Sequence, residues 1–303
     1  MRADGLSAAS ALTRPGFAGP PSPAERERGR TRAALVALAL ACLPAHAAPL
    51  PAPEAGPCSL EQAVPVTVAR VEAGLELLLD DGRRAALTGL EFPAPAQGAL
   101  ALLSGWLAGK QVFLAAASAS PDRWGRIPAW AFAASGEGAA APLVSIGEAL
   151  LGEGLARFRP DPPAAPCAKA YLAAEQSARA QKLGLWAGAD AAVLDISDGA
   201  ASVNQDNEAF LNRKGMTLVE GVVHSIGEAR GTIYLNFGPR RARDFAVVIS
   251  RRDLGMFEQS GLSPRTLIGR RLRVRGLIET SIGPRMGVSS PAQIELLDAA
   301  PAR

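Results

Sequence analysis

Asp122-Arg123-Trp124-Gly125-Arg126 sets an acid, an aromatic ring and two guanidinium groups between the apolar runs Gln111 to Ala116 and Ile127 to Ala133. A turn of this kind between two strands holds Arg126 at the edge of a cleft. There its planar fork of donors suits a phosphate, while Asp122 offers the competing partner, a salt bridge within the turn. Trp124 and Arg123 add a stacking surface and a further cation. A second basic set lies farther along. Arg271, Arg273 and Arg275 alternate with Leu272 and Val274, which puts three guanidinium groups on one face of a strand and the apolar pair on the other. Arg240, Arg241 and Arg243 follow a run bearing Tyr234, and Arg285 sits near the last turn. Three readings of this basic ridge stand: a grip on single-stranded nucleic acid with Tyr234 as the stacking ring, a contact with a protein or with the first domain, and a solvated strand face.

Other chemistries are poorly supplied. The chain has two histidines, His46 and His224, and His224 lies in a strand pattern. Zinc sites and histidine-based triads therefore lack material. No glycine loop of the P-loop or dinucleotide type is present.

The compartment follows from the first residues. Arg26, Arg28, Arg30 and Arg32 precede the apolar run Ala33 to Leu43 and the small-residue stretch Ala45-His46-Ala47, the order of a secretory signal peptide. Residues 1–47 are thus expected to be a disordered leader and signal peptide cleaved near Ala47, with export to the periplasm. The apolar run falls short of the roughly 20 residues that span a bilayer, so no integral span is expected after cleavage. This leader holds 6 Lys+Arg and 3 Asp+Glu of the 32 and 29 in the chain, leaving the remainder balanced at 26 of each. Residues 48–200 hold 11 basic and 16 acidic residues and are not expected to act as a general polyanion trap, whereas 201–303, with 15 and 10, are suited to phosphates, to an acidic partner or to packing against the first half. Cys42 leaves with the leader, and Cys58 and Cys167 remain as two thiols in an oxidising compartment. A disulfide between them is the economical reading.

Short β-rich runs separated by turn signals such as Asp81-Gly82 precede an apolar helical stripe at Leu100, Leu103, Trp106 and Leu107. A second helix is expected from Ser145. A third, from Cys167 to Leu183, places Tyr171, Ala174, Ala178 and Gln181 near one face. The fold class is mainly β with helices (α+β): a barrel with three helices over 58–187, a linker over 188–212, and a second barrel over 213–298. In the latter, three strands, a helix and two strands give the order of a five-stranded OB barrel.

Several marks occur in series: Asp81-Gly82 before Leu87-Thr88-Gly89-Leu90-Glu91-Phe92-Pro93, the Asp122 to Arg126 turn, Gly147-Glu148-Ala149-Leu150-Leu151 with Gly154-Leu155-Ala156, and Glu175, Ala178-Arg179 and Gly184-Leu185-Trp186. In this order the stretch from Val66 to Trp186 resembles the staphylococcal-nuclease-like (thermonuclease) family. The resemblance implies a barrel of the OB type and a phosphodiesterase site. In that family two aspartates and a threonine carbonyl hold calcium, a glutamate activates water, and two arginines bind the phosphate. Matched to this sequence, the strand arginine falls on Ala86, the second aspartate on Glu91, the threonine on Phe92, the glutamate on Ala94 and the first aspartate on Leu75 or Gly74. Arg126 survives as the catalytic candidate. Arg84, two residues before Ala86 and on the same strand face about 7 Å away, and Glu91 are weaker candidates, with Glu72 or Glu76 as the expected source of a carboxylate near Glu91.

Alanine moves no protons, and leucine offers calcium no side-chain oxygen. The expectation is an exported module of the nuclease fold with a degraded phosphodiesterase site, non-catalytic or only weakly hydrolytic, binding single-stranded nucleic acid or an envelope protein. It needs no cofactor and no metal. The alternative is a calcium-dependent endonuclease of DNA or RNA with a rearranged site, in which Glu91 would join the metal.

Overall fold

The computed structural model describes residues 60, 63–136, 138, 141–161, 166–188, 193–196, 215–240, 243–281 and 283–297. The expected leader, Cys58 and Arg241 lie outside them. The chain begins with β1 (Val64–Val71), β2 (Leu77–Leu79), β3 (Arg84–Leu87) and the short β4 (Leu90–Glu91). It continues through α1 (Gln97–Leu107), β5 (Gln111–Ala116), β6 (Arg126–Ala134), β7 (Leu143–Ser145), α2 (Ile146–Gly152), β8 (Arg157–Phe158) and α3 (Ala168–Ala180).

The first sheet runs β3-β2-β1-β5-β6-β7, and a parallel pairing of β3 with β6 closes it into a barrel. Period-two alternation drives the closure. Val68, Leu77, Leu79, Ala85, Val112, Leu114, Ala129 and Ala131 point inward and are almost wholly buried. On α1, Ala99, Leu103 and Leu107 form the buried stripe at helical spacing. Ser145 caps α2 by accepting the Glu148 amide at 3.3 Å. On α3 the buried residues are Tyr171, Glu175 and Ala178. Gln181, expected on that face, is exposed at the helix end. In its place the helix buries a carboxylate. Gly154, at φ +66°, lets the loop after α2 touch the backbone at Leu183, where a Cβ would collide with the carbonyl.

The second barrel is built from β10 (Thr217–Val222), β11 (Ser225–Ala229), β12 (Thr232–Asn236), β13 (Ala246–Ser250), α4 (Leu254–Gln259), β14 (Arg271–Gly276), β15 (Ile278–Glu279) and β16 (Arg285–Val288). Here β10 and β11 act as one bent first strand, and β14 and β15 as the fourth. Antiparallel pairings β11-β12-β13, a parallel β13-β16 pairing, and antiparallel β16-β15 and β14-β10 pairings complete the ring. The molecule is thus mainly β with helices, and both barrels have the five-strand order of an OB fold with the third and fifth strands parallel.

Two strands extend the second barrel. The final β17 (Ile294–Leu296) pairs with β14, and β9 (Leu194–Asp195), within the stretch expected as linker, pairs in parallel with β10. Ile196 packs into the second core, and a Cβ at Gly221 would lie 2.6 Å from it. All described residues belong to one compact unit. Among them no helix is long and apolar enough to cross a membrane.

Candidate functional site

The turn before β6 is organised by one carboxylate. Asp122 Oδ1 accepts the backbone N–H groups of Trp124 and Arg126, each at 2.9 Å, and the Asp122 carbonyl accepts the Gly125 N–H at 2.9 Å. An aspartate favours such a turn because its short side chain reaches the amides that follow it. Gly125 takes φ +73°. The Asp122 Oδ2 atom then accepts the Arg126 Nε–H at 2.8 Å, so the turn holds its own arginine.

Across the barrel mouth, the parallel register sets Arg84 opposite Arg126. Glu76, in the link from β1 to β2, stands between them: Arg126 Nη1 donates to its Oε1 at 2.9 Å and Arg84 Nη1 to its Oε2 at 3.3 Å. Arg84 Nη2 donates to the Trp124 carbonyl at 2.8 Å. The guanidinium carbons of Arg123 and Arg126 lie 3.9 and 4.6 Å from the centre of the Trp124 ring, and Trp124 is 53% exposed. Two cations and two anions therefore neutralise one another beside an open aromatic ring.

The titration shifts agree with this clasp. Desolvation raises the Asp122 carboxyl, but hydrogen bonds from the Arg126 side chain and from the Arg126 and Trp124 amides outweigh it and leave the group below the ordinary aspartate range. Arg126 is pushed above its ordinary value by its hydrogen bond to Asp122 and, against desolvation, by Glu76.

The remaining positions matched by the resemblance do not rebuild a calcium site. Leu75 lies in the first core, Phe92 packs against it, and Ala86 and Ala94 carry no side-chain oxygen. Glu91 on β4 engages the second barrel: its Oε1 accepts the Met216 N–H at 3.3 Å, while its Oε2 is buried without a hydrogen bond. Glu76, expected near Glu91, instead serves the arginines. Among the described residues no group of three or more His, Cys, Asp and Glu is placed to hold a metal ion. The donor set does not fit a hard cation that needs six or more oxygens.

The basic ridge of the second barrel is real in its alternation but is paired with carboxylates along its length. Arg271 meets Asp195 at 2.7 Å and Glu220 at 3.2 Å, and Arg273 meets Glu220 at 2.6 Å and Glu295 at 3.0 Å. Arg275 is fully buried between Glu175 of the first barrel and Glu295, each at 2.7 Å. Of the three readings of this ridge, the contact with the first domain is what Arg275 makes. The partnering carboxylates were missed in the sequence, although Glu220 and Glu295 fall directly opposite Arg273 in the strand register. That pairing of opposite charges is the available signal.

Arg240 is tied to Asp244 through its backbone N–H at 2.7 Å and its Nη2 at 3.2 Å. Arg243 is exposed, and Arg285 is bound to Glu279 at 2.9 Å. Tyr234 lies in a separate cleft with Arg285. Cys167 is buried at the start of α3; its expected partner, Cys58, is outside the described residues.

No curated protein matches the chain significantly. Residues 94–188 match the family model described as staphylococcal nuclease homologue. The match includes the Asp122 to Arg126 turn and α1 to α3, and it begins after the segment that carries Glu76, Arg84 and Glu91. The chain therefore carries a staphylococcal nuclease homologue domain, seated on the first of its two OB-type barrels.

Proposed function

We propose that this chain is an exported, non-catalytic module of the nuclease fold, which binds its partner through the mouth of the first barrel instead of hydrolysing it. The observation that carries this reading is the clasp of Glu76 on both Arg84 and Arg126, with Asp122 completing the neutralisation. Phosphodiester cleavage needs guanidinium groups aimed at developing negative charge and a base or metal to activate water. The positions where the resemblance puts the second arginine and the base hold Ala86 and Ala94. Loss of one aligned charged group at such a site costs about 3 kcal/mol of transition-state stabilisation, and here several are absent together.

Trp124, with Arg123 stacked beside it, suits single-stranded nucleic acid, because every base offers a ring face to an exposed aromatic. An envelope protein is the competing partner. Export with cleavage near Ala47 and a Cys58 to Cys167 disulfide belong to the same reading, since both follow from a secretory leader and two remaining thiols.

The deciding assay is hydrolysis of DNA and RNA in calcium by the full chain and by Arg126→Ala. We expect no turnover above background in either. Robust cleavage that Arg126→Ala abolishes would establish the calcium-dependent endonuclease instead. Partners recovered by pull-down should vanish on nuclease treatment if they are nucleic acid, and persist if they are protein.

A further inference from the structure

The fold repeats its mouth. Arg126 opens the fifth strand of the first barrel and faces Arg84 on the third. Arg285 opens the fifth strand of the second barrel and faces Ala246 on the third, in the same parallel register. At this second mouth lies a cleft of about 360 Å³, lined by Glu228, Tyr234, Asn236, Asp244 and Arg285 with small residues between them. That volume is in the lower part of the range for small-molecule sites. The strand register lays Asn236, Ala246 and Arg285 side by side across β12, β13 and β16, and Gly227 stands opposite Tyr234 with no side chain to cover its ring.

Each charge at this cleft already has its counter-charge. Glu228 pairs with Arg251 at 3.0 Å, Asp244 with Arg240 at 3.2 Å and Arg285 with Glu279 at 2.9 Å. Neither a phosphate chain nor a cation would find an uncompensated partner there. Acceptor atoms are nevertheless plentiful. Asp244 is 7% exposed, and its Oδ1 makes its contact with Arg240 outside hydrogen-bonding geometry. Asn236 spends its Nδ2 hydrogens on Ser225, leaving its carbonyl oxygen as an acceptor.

We propose that this cleft is a binding site for a short neutral oligosaccharide, with Tyr234 as the platform for a sugar face and Glu228, Asn236 and Asp244 as acceptors for its hydroxyls. A hydroxyl-rich, uncharged ligand uses all three acceptors without breaking an ion pair. The aromatic ring covers the C–H face that water solvates poorly.

The test is calorimetric titration of the full chain with maltotriose, cellotriose and chitotriose, repeated with Tyr234→Ala, Tyr234→Phe and Glu228→Gln, with spermidine and decathymidylate as competitors. At least one trisaccharide should bind saturably. Its affinity should fall about tenfold in Tyr234→Ala, fall severalfold in Glu228→Gln and persist in Tyr234→Phe, which keeps the ring. Circular dichroism should be unchanged in all three variants. Failure of all three sugars to bind, binding indifferent to Tyr234→Ala, or displacement of the sugar by spermidine or decathymidylate would each overturn the assignment.

Discussion

Arg275 Nη2 on β14 lies 2.7 Å from Glu175 Oε2 on α3, and neither side chain is exposed. This pair also secures Phe158: its N–H donates to Glu175 Oε1 at 2.8 Å, and its carbonyl accepts Arg275 Nη1 at 3.0 Å. The second barrel thus completes the polar interior of the first. Arg179 Nη2 reaches Glu295 Oε2 at 3.2 Å, extending the network across the same junction. A buried ion pair of this kind gains from mutual attraction only when its hydrogen bonds are satisfied on both sides.

Arg275→Met should therefore destabilise the protein by about 3–5 kcal/mol, because it strands the Glu175 carboxylate in a dry interior. The double variant Glu175→Leu with Arg275→Met should recover a good part of that loss. Urea unfolding of the three variants beside the parent measures both changes. A single variant as stable as the parent would remove the pair from the forces that join the barrels.

Acid should weaken the same junction. Burial raises the Glu295 carboxyl, but the charges of Arg275 and Arg179 and the hydrogen bond from Arg275 overcome it, so its folded value lies below the ordinary 4.5. A carboxyl depressed on folding contributes stability that is fully present above its unfolded value and is lost as pH falls through the folded one. Glu295 should thus contribute a constant amount from neutrality to about pH 4.5 and progressively less below it. In Glu295→Gln that component of the acid limb should disappear, as read by chemical unfolding across the pH series.

Glu76→Gln tests the neutralised clasp. Removing the shared carboxylate leaves Arg84 without a carboxylate partner and Arg126 held by Asp122 alone at the mouth of the first barrel. Affinity for a single-stranded oligonucleotide should rise about tenfold at low salt, with a steeper salt dependence, because more phosphates can be neutralised. Fluorescence anisotropy over a salt series reports both quantities. No gain in affinity would place the binding surface elsewhere.

Peptide mapping without reductant should recover Cys58 and Cys167 in one linked fragment, and reduction should lower stability by about 2–5 kcal/mol. Two alkylatable thiols in protein taken from the exported fraction would exclude the bond.

Much of the architecture was legible because it rests on short-range geometry. Alternation in a strand decides which face a side chain takes, so Leu272 and Val274 entered the core of the second barrel and Arg271, Arg273 and Arg275 took the opposite face. Asp122 declared the turn, since its acceptor reaches amides only two and four residues on. Ala86 and Ala94 bring no charged side chain to their positions, because no fold can give an alanine a charge.

What each charged group touches was decided only when distant strands closed. Arg275 finds Glu175 one hundred positions away, and Arg126 finds Glu76 fifty away. Glu91 turned to Met216, and Tyr234 joined Asp244 and Arg285 around a cleft. Pattern and composition determined two β barrels and an arginine-bearing turn between two strands of the first. The tertiary structure determined that Arg126 is neutralised and that Arg275, at the end of the basic strand, serves the junction, because the energy of a charge depends on the neighbours and solvent around it.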